Sequence, residues 1–245
     1  MHGSRTELRH AVAVVVAAAV VSLLGAGGTA SARGPASVDP SGPLGRSYGE
    51  WAARWWQWAL AQPAAVNPLT DTTGELCARG RRGRMWFLAG TTGGDPVTRC
   101  TIPRGRWLLF PIVNNFSGAT PGDPPEELTE AFHRGQVAGR RRARNASVRI
   151  DGRRLRRPRR HLEYSTVFRV VLPADNLLGV NGSCEDTPPL TAGCVISPTV
   201  DAGFYVALRP PTPGRHRLEF TGTIPASGPG TSATRIDVTY ILTIE

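Results

Sequence analysis

Arg235-Ile-Asp-Val-Thr-Tyr-Ile-Leu-Thr-Ile244 decides the fold: Ile236, Val238, Tyr240, Leu242 and Ile244 recur at every second position, with Arg235, Asp237, Thr239 and Thr243 between them. A period of two is that of a strand with one face buried and one in water. Leu218 and Phe220 alternate in the same way with Arg217 and Glu219, which makes His216–Ile224 the expected partner strand. Working outward, the segments 85–90, 107–113, 147–150, 165–172 and 204–208 are also rich in β-branched and aromatic residues, and most are bounded by Gly, Pro, Asn or Asp. Asp151-Gly152 between Ile150 and Leu155 is a two-residue hairpin signal. About seven strands with few helices imply an all-β fold, a two-sheet, jelly-roll-like β-sandwich with two short peripheral α-helices.

The first helix is expected around Tyr48-Gly-Glu-Trp51-Ala-Ala-Arg-Trp55-Trp56-Gln-Trp58. Trp51, Trp55 and Trp58 are spaced i, i+4, i+7 and share one face, with Tyr48 one turn earlier, which is the pattern of a helix covering one side or one end of the sandwich. Trp56 lies about 100° off that face, so it and Tyr48 are the candidates for an exposed aromatic contact, such as stacking on a sugar. The second helix is expected over Pro124–His133, with prolines at its start, acids in its first turn and Leu128 and Phe132 one turn apart.

Residues 1–32 have the three parts of a secretory leader: Arg5 and Arg9, an apolar run from Ala11 to Leu24, and the small residues Ala30-Ser31-Ala32. Cleavage is expected after Ala32, leaving a Pro/Gly/Ser-rich spacer at 33–46 and a single domain over 47–245. The apolar run is shorter than the ~18–20 residues of a bilayer span, and no later segment is that long and uncharged, so no transmembrane segment is expected in the mature chain. The expected location is secreted or periplasmic. Cys77, Cys100, Cys184 and Cys194 then enter an oxidising compartment, with Cys77–Cys100 and Cys184–Cys194 the most local of three possible pairings. No Cys-x-x-Cys or His-Glu-x-x-His arrangement suggests a metal, and no motif implies a cofactor.

The formal net charge is +10, and because the chain has no lysine all 29 basic side chains are arginines, a pattern that points to the codon bias of a GC-rich genome. Eleven of the arginines lie between Arg140 and Arg160. Arg141, Arg154 and Arg157 stand for this run as candidates for docking an anionic envelope polymer through a long-range field. Nucleic acid is not expected, since no exposed aromatics interleave the run and export removes the chain from it.

Trp55-Trp56-Gln-Trp58-Ala, Asp71-Thr-Thr-Gly74, Trp86-Phe-Leu-Ala-Gly90, Phe110-Pro-Ile-Val-Asn114, Val148-Arg-Ile-Asp-Gly152, Leu172-Pro-Ala-Asp-Asn176 and Pro213-Gly-Arg-His216 resemble, in that order, an uncharacterised family of exported bacterial proteins with an N-terminal Trp-rich segment. The resemblance implies an exported, β-rich protein. It implies no activity and no site residues.

The expected function is therefore that of an exported, non-catalytic binding or structural protein whose ligand is a glycan or an anionic envelope polymer. The alternative is a carbohydrate-active hydrolase, which needs two carboxylates about 5–10 Å apart. Asp71, Glu75, Asp95, Asp123, Glu163, Asp175, Glu185, Asp186 and Asp201 are the acids available, with no spacing signature to select a pair. The histidines His133, His161 and His216 form no catalytic motif.

Overall fold

The alternation at 235–244 produces a long strand that pairs antiparallel with its expected neighbour, Leu218 opposite Tyr240 and Phe220 opposite Val238. In a computed structural model, residues 42–90, 96–139, 143–155, 162–179, 193–226 and 232–245 are described. The strands are β1 (Arg81–Arg82), β2 (Met85–Phe87), β3 (Val97–Ile102), β4 (Trp107–Gly118), β5 (Arg144–Ile150), β6 (Arg153–Arg154), β7 (Leu162–Tyr164), β8 (Phe168–Val171), β9 (Val195–Leu208), β10 (Gly214–Ile224) and β11 (Thr234–Ile244). The helices are α1 (Tyr48–Leu60) and α2 (Glu130–Val137).

Two sheets form the expected sandwich. Sheet I runs β1-β2-β4-β9, and the far edge of β9 is shared by β7 and β8. Sheet II runs β3-β11-β10-β5-β6. Each sheet contains one parallel pair, β2 with β4 and β3 with β11. Between the sheets lies a core in which Phe110 and Phe220 stack at 4.7 Å, with Leu108, Val206, Val238 and Leu242 around them. Burying each such side chain contributes roughly 1.5–3 kcal/mol.

A second core lies on the opposite face of sheet I, where Met85, Phe87, Leu109, Tyr205 and Ala207 meet the tryptophans of α1. The molecule thus has three layers: α1, sheet I, sheet II. Strand β4 is buried on both faces through Val113, which is why its sequence reads as a continuous apolar run rather than an alternation. Helix α2 covers the part of the inner face of sheet I nearest Val200 and Ala202, against which Val137 packs.

The second helix differs from its expectation. Pro125–Glu127 forms a single 3₁₀ turn, and the α-helix starts only at Glu130, where the Thr129 hydroxyl accepts from Phe132 N at 3.3 Å. A side-chain cap at 129 outcompetes the prolines as the helix start. His133 and Val137 become the buried pair, while Leu128 stays exposed. The Asp151-Gly152 hairpin joins β5 to β6 as expected, with φ of 50° and 75°, the two positive values of a type I′ turn.

Disulfide Cys77–Cys100, with a Cα separation of 5.6 Å, ties the segment before β1 to β3. Cys194 is also disulfide-bonded; its expected partner Cys184 lies outside the described residues. No helix among the described residues is long and apolar enough to cross a membrane.

Candidate functional site

Helix α1 begins with a capping box. The Ser47 hydroxyl accepts from Glu50 N at 3.2 Å, and the Glu50 carboxylate accepts from Ser47 N at 2.9 Å, which holds the Glu50 carboxyl below its ordinary value. From there the helix presents four indoles, and each N–H finds its own acceptor. Trp51 donates to Pro43 O at 2.8 Å, Trp55 to Leu88 O at 3.1 Å, Trp56 to Asp201 Oδ1 at 2.7 Å and Trp58 to Arg79 O at 2.7 Å. A buried indole needs such a partner.

The exposed aromatic contact expected of Trp56 and Tyr48 is not found: Trp56 is 8% and Tyr48 4% exposed. The reason is the depth at which α1 lies. Buried Ala52, Ala53 and Ala59 let the helix sink onto sheet I with β7 and β8 along its flank, so the Trp56 side meets Phe116 at 4.5 Å and Trp55 edge-on at 5.0 Å. Only a narrow stripe marked by Arg54 and Gln57 faces outward.

Beneath Trp56 is a polar group the sequence did not reveal. Asp201, fully buried, accepts from the Trp56 indole, and its own backbone N donates to Ser165 Oγ at 2.8 Å. Four residues along the same face of β9, the Tyr205 hydroxyl accepts from Asn114 Nδ2 at 3.0 Å. Burial, then the charge of Asp201, push the Tyr205 phenol well above its ordinary value. Between Asp201 and Tyr205 stands Gly203, where a Cβ would come within 2.5 Å of Asn114 Cβ. A strand glycine beside an Asn pair on the neighbouring strand was the only signal in the sequence.

The carboxylates have mostly local duties. Burial alone would raise Asp71, but the backbone N–H groups of Gly74, Leu76 and Thr73 and the Thr73 hydroxyl outweigh it and hold the carboxyl below its ordinary value. Asp123 closes a turn on Thr120, and Asp151 receives Arg217 N and His216 Nδ1, at 2.9 and 2.8 Å. Glu163 differs: half-buried in β7, it is raised by desolvation. Asp95, Glu185 and Asp186 lie outside the described residues. Among the described residues no three His, Cys, Asp or Glu side chains gather as a metal site. His133, buried in α2, contacts Ser117 Oγ through Nδ1 at 2.8 Å, a pairing without a sequence signal.

The arginines are split by the fold. Arg141 and Arg157 lie outside the described residues, and Arg154 is exposed on β6. Arg154 joins a surface to which other parts of the chain contribute. The outer face of sheet II, on which neither α1 nor α2 packs, carries Arg99 from β3, Arg215 and Arg217 from β10, and Arg149 from β5, interspersed with Thr101, Thr239 and Thr243. Arg217 is paired with Glu219 at 2.9 Å. Arg99, Arg149, Arg154 and Arg215 make no ion pair among the described residues. At one end of this face is a recess of about 410 Å³ between β3, β11, β10 and the loop carrying Gly74 and Glu75. Compared with known proteins, the chain matches no family model, no curated protein and no solved structure.

Proposed function

We propose that this is an exported, non-catalytic binding or structural protein that docks onto an anionic polymer of the cell envelope or extracellular space through the outer face of sheet II. The observation that carries the reading is the set of four exposed arginines, Arg99, Arg149, Arg154 and Arg215, that have no carboxylate partner among the described residues, on a threonine-rich sheet face that neither α1 nor α2 covers. Charges left uncompensated on a flat surface create the field that concentrates polyanions. Disulfide Cys77–Cys100 supports export, because such bonds persist in oxidising compartments. The burial of all four clustered tryptophans speaks against an aromatic sugar platform there and supports recognition by charge.

The hydrolase alternative would need Glu163 to face a second carboxylate. Asp201, on the same face of sheet I, is shut beneath Trp56 and Phe116. The test is retention of the protein on immobilised polygalacturonate and heparin. The expected result is binding at low salt that weakens steeply with ionic strength and is lost when Arg99, Arg149, Arg154 and Arg215 are all replaced by Gln. Flow-through at low salt, or retention indifferent to the four substitutions, sinks the reading.

A further inference from the structure

We infer that the recess at the Cys77–Cys100 end of sheet II is a binding site for one acidic saccharide unit, with Arg99 and Arg215 holding its oxyanion. This rests on the anionic-polymer reading and names the subsite and ligand class within it. The floor is the outer face of β11, where Ile241 lies opposite Arg99 on β3 and Thr243 lies opposite Arg215 on β10. The two guanidinium-bearing strands therefore flank the floor strand, about 10 Å apart at the strand spacing of a sheet. That span suits two forked donors converging on one group from opposite sides, since a guanidinium matches a carboxylate, sulfate or phosphate ester bidentately.

The wall is built rather than incidental. Gly74 approaches β3 so closely that a Cβ would stand 1.8 Å from Arg99 O, and its φ of +102° is one that other residues rarely adopt. The Asp71 carboxylate gathers the Thr73, Gly74 and Leu76 amides, Arg99 N donates to Thr73 O at 3.0 Å, and the disulfide pins the loop on its far side. A recess of about 410 Å³ falls within the range of small-ligand sites, roughly 300–1,000 Å³.

Within the recess, though not across the whole face, the lining favours one charge over two adjacent ones. Glu75 stands on the wall, where its carboxylate can accept hydrogen bonds from ligand hydroxyls and repels a second charge. Two arginines, one carboxylate, the hydroxyls of Thr101 and Thr243 and the half-buried apolar surface of Ile241 fit a pyranose with a single oxyanion and free hydroxyls. Which oxyanion it carries, carboxylate, sulfate or phosphate ester, is read from the probes.

The experiment titrates the full mature chain with digalacturonate, a monosulfated disaccharide and a glycerol-phosphate oligomer, alongside polygalacturonate. At least one short probe is expected to bind, with Arg99→Gln and Arg215→Gln each weakening it about tenfold or more. Arg149→Gln with Arg154→Gln should weaken the polymer and leave the short probe unchanged. Glu75→Gln should raise affinity for the glycerol-phosphate oligomer relative to the disaccharides. If polymer binding holds but no short probe binds, or if Arg99→Gln and Arg215→Gln leave its affinity intact in folded protein, the subsite is overturned and the anionic-polymer reading stands. If neither polymer nor short probe binds, both fall.

Discussion

Glu163 sits in a three-residue strand opposite Gly203, half-buried, with desolvation the cause of its shift. Burial disfavours the ionised form, so its carboxyl is raised from the ordinary value of 4.5. Between that value and the raised one, the folded protein keeps a proton that the unfolded chain has released, and stability falls as pH rises through the window. Glu163→Gln should therefore raise the melting temperature at pH 7, with the gain over wild type closing as pH falls towards 4. Calorimetry across that range decides it, and a lower melting temperature at pH 7 would mean that the carboxylate has a stabilising partner. Asp71 has the opposite sign, since loop amides hold its charged form, so its contribution is lost in acid. Taking the variant minus wild type at each pH separates the two.

At the scale of the element, α1 is fastened by four different hydrogen bonds to four different places: the turn before it, the strand end at Leu88, the buried Asp201 and the Arg79 segment. These bonds differ in what their loss leaves behind. Trp56→Phe strands a buried carboxylate short of a donor, at a cost of about 1–3 kcal/mol, whereas Trp58→Phe frees a partly buried carbonyl and should cost about 1 kcal/mol. Thermal unfolding of the two variants checks this, and equal losses would show that Asp201 is not what α1 docks on. The helix itself was legible from the tryptophan spacing, while its Ser47/Glu50 cap came to light only in the structure. The burial of its second side was not, because periodicity reports which faces are apolar and says nothing of how deep a neighbouring sheet is dished. Strand β3 alternates Thr98, Cys100 and Ile102 inward, yet a parallel partner at Thr239–Ile244 leaves no local trace in the sequence. The recess was invisible for the same reason: Arg99 and Arg215 meet only through a third strand far from both in the chain.

Across the whole molecule, arginine closes one margin of each sheet as well as decorating a face. Sheet I ends at β1, Arg81-Arg82, and sheet II at β6, Arg153-Arg154, two-residue strands that are exposed and charged. Short charged edges deter pairing with a second chain. Replacing both pairs by Val-Val should leave stability within about 1 kcal/mol of wild type while promoting association. Light scattering during incubation would show it, and monodisperse variants would refute the role. Arg153 and Arg154 of the 140–160 run thus also guard an edge, while Arg149 and Arg154 of the same run share the proposed docking face with Arg99 and Arg215. The placement of β11 has a further consequence. This strand lies between β3 and β10 and supplies Val238, Tyr240 and Leu242 to the core around Phe110 and Phe220, so without residues 234–244 sheet II falls into two parts. Contacts of such long sequence separation form late. Until β11 docks, sheet II stays divided, with β3 on one side and β10, β5 and β6 on the other.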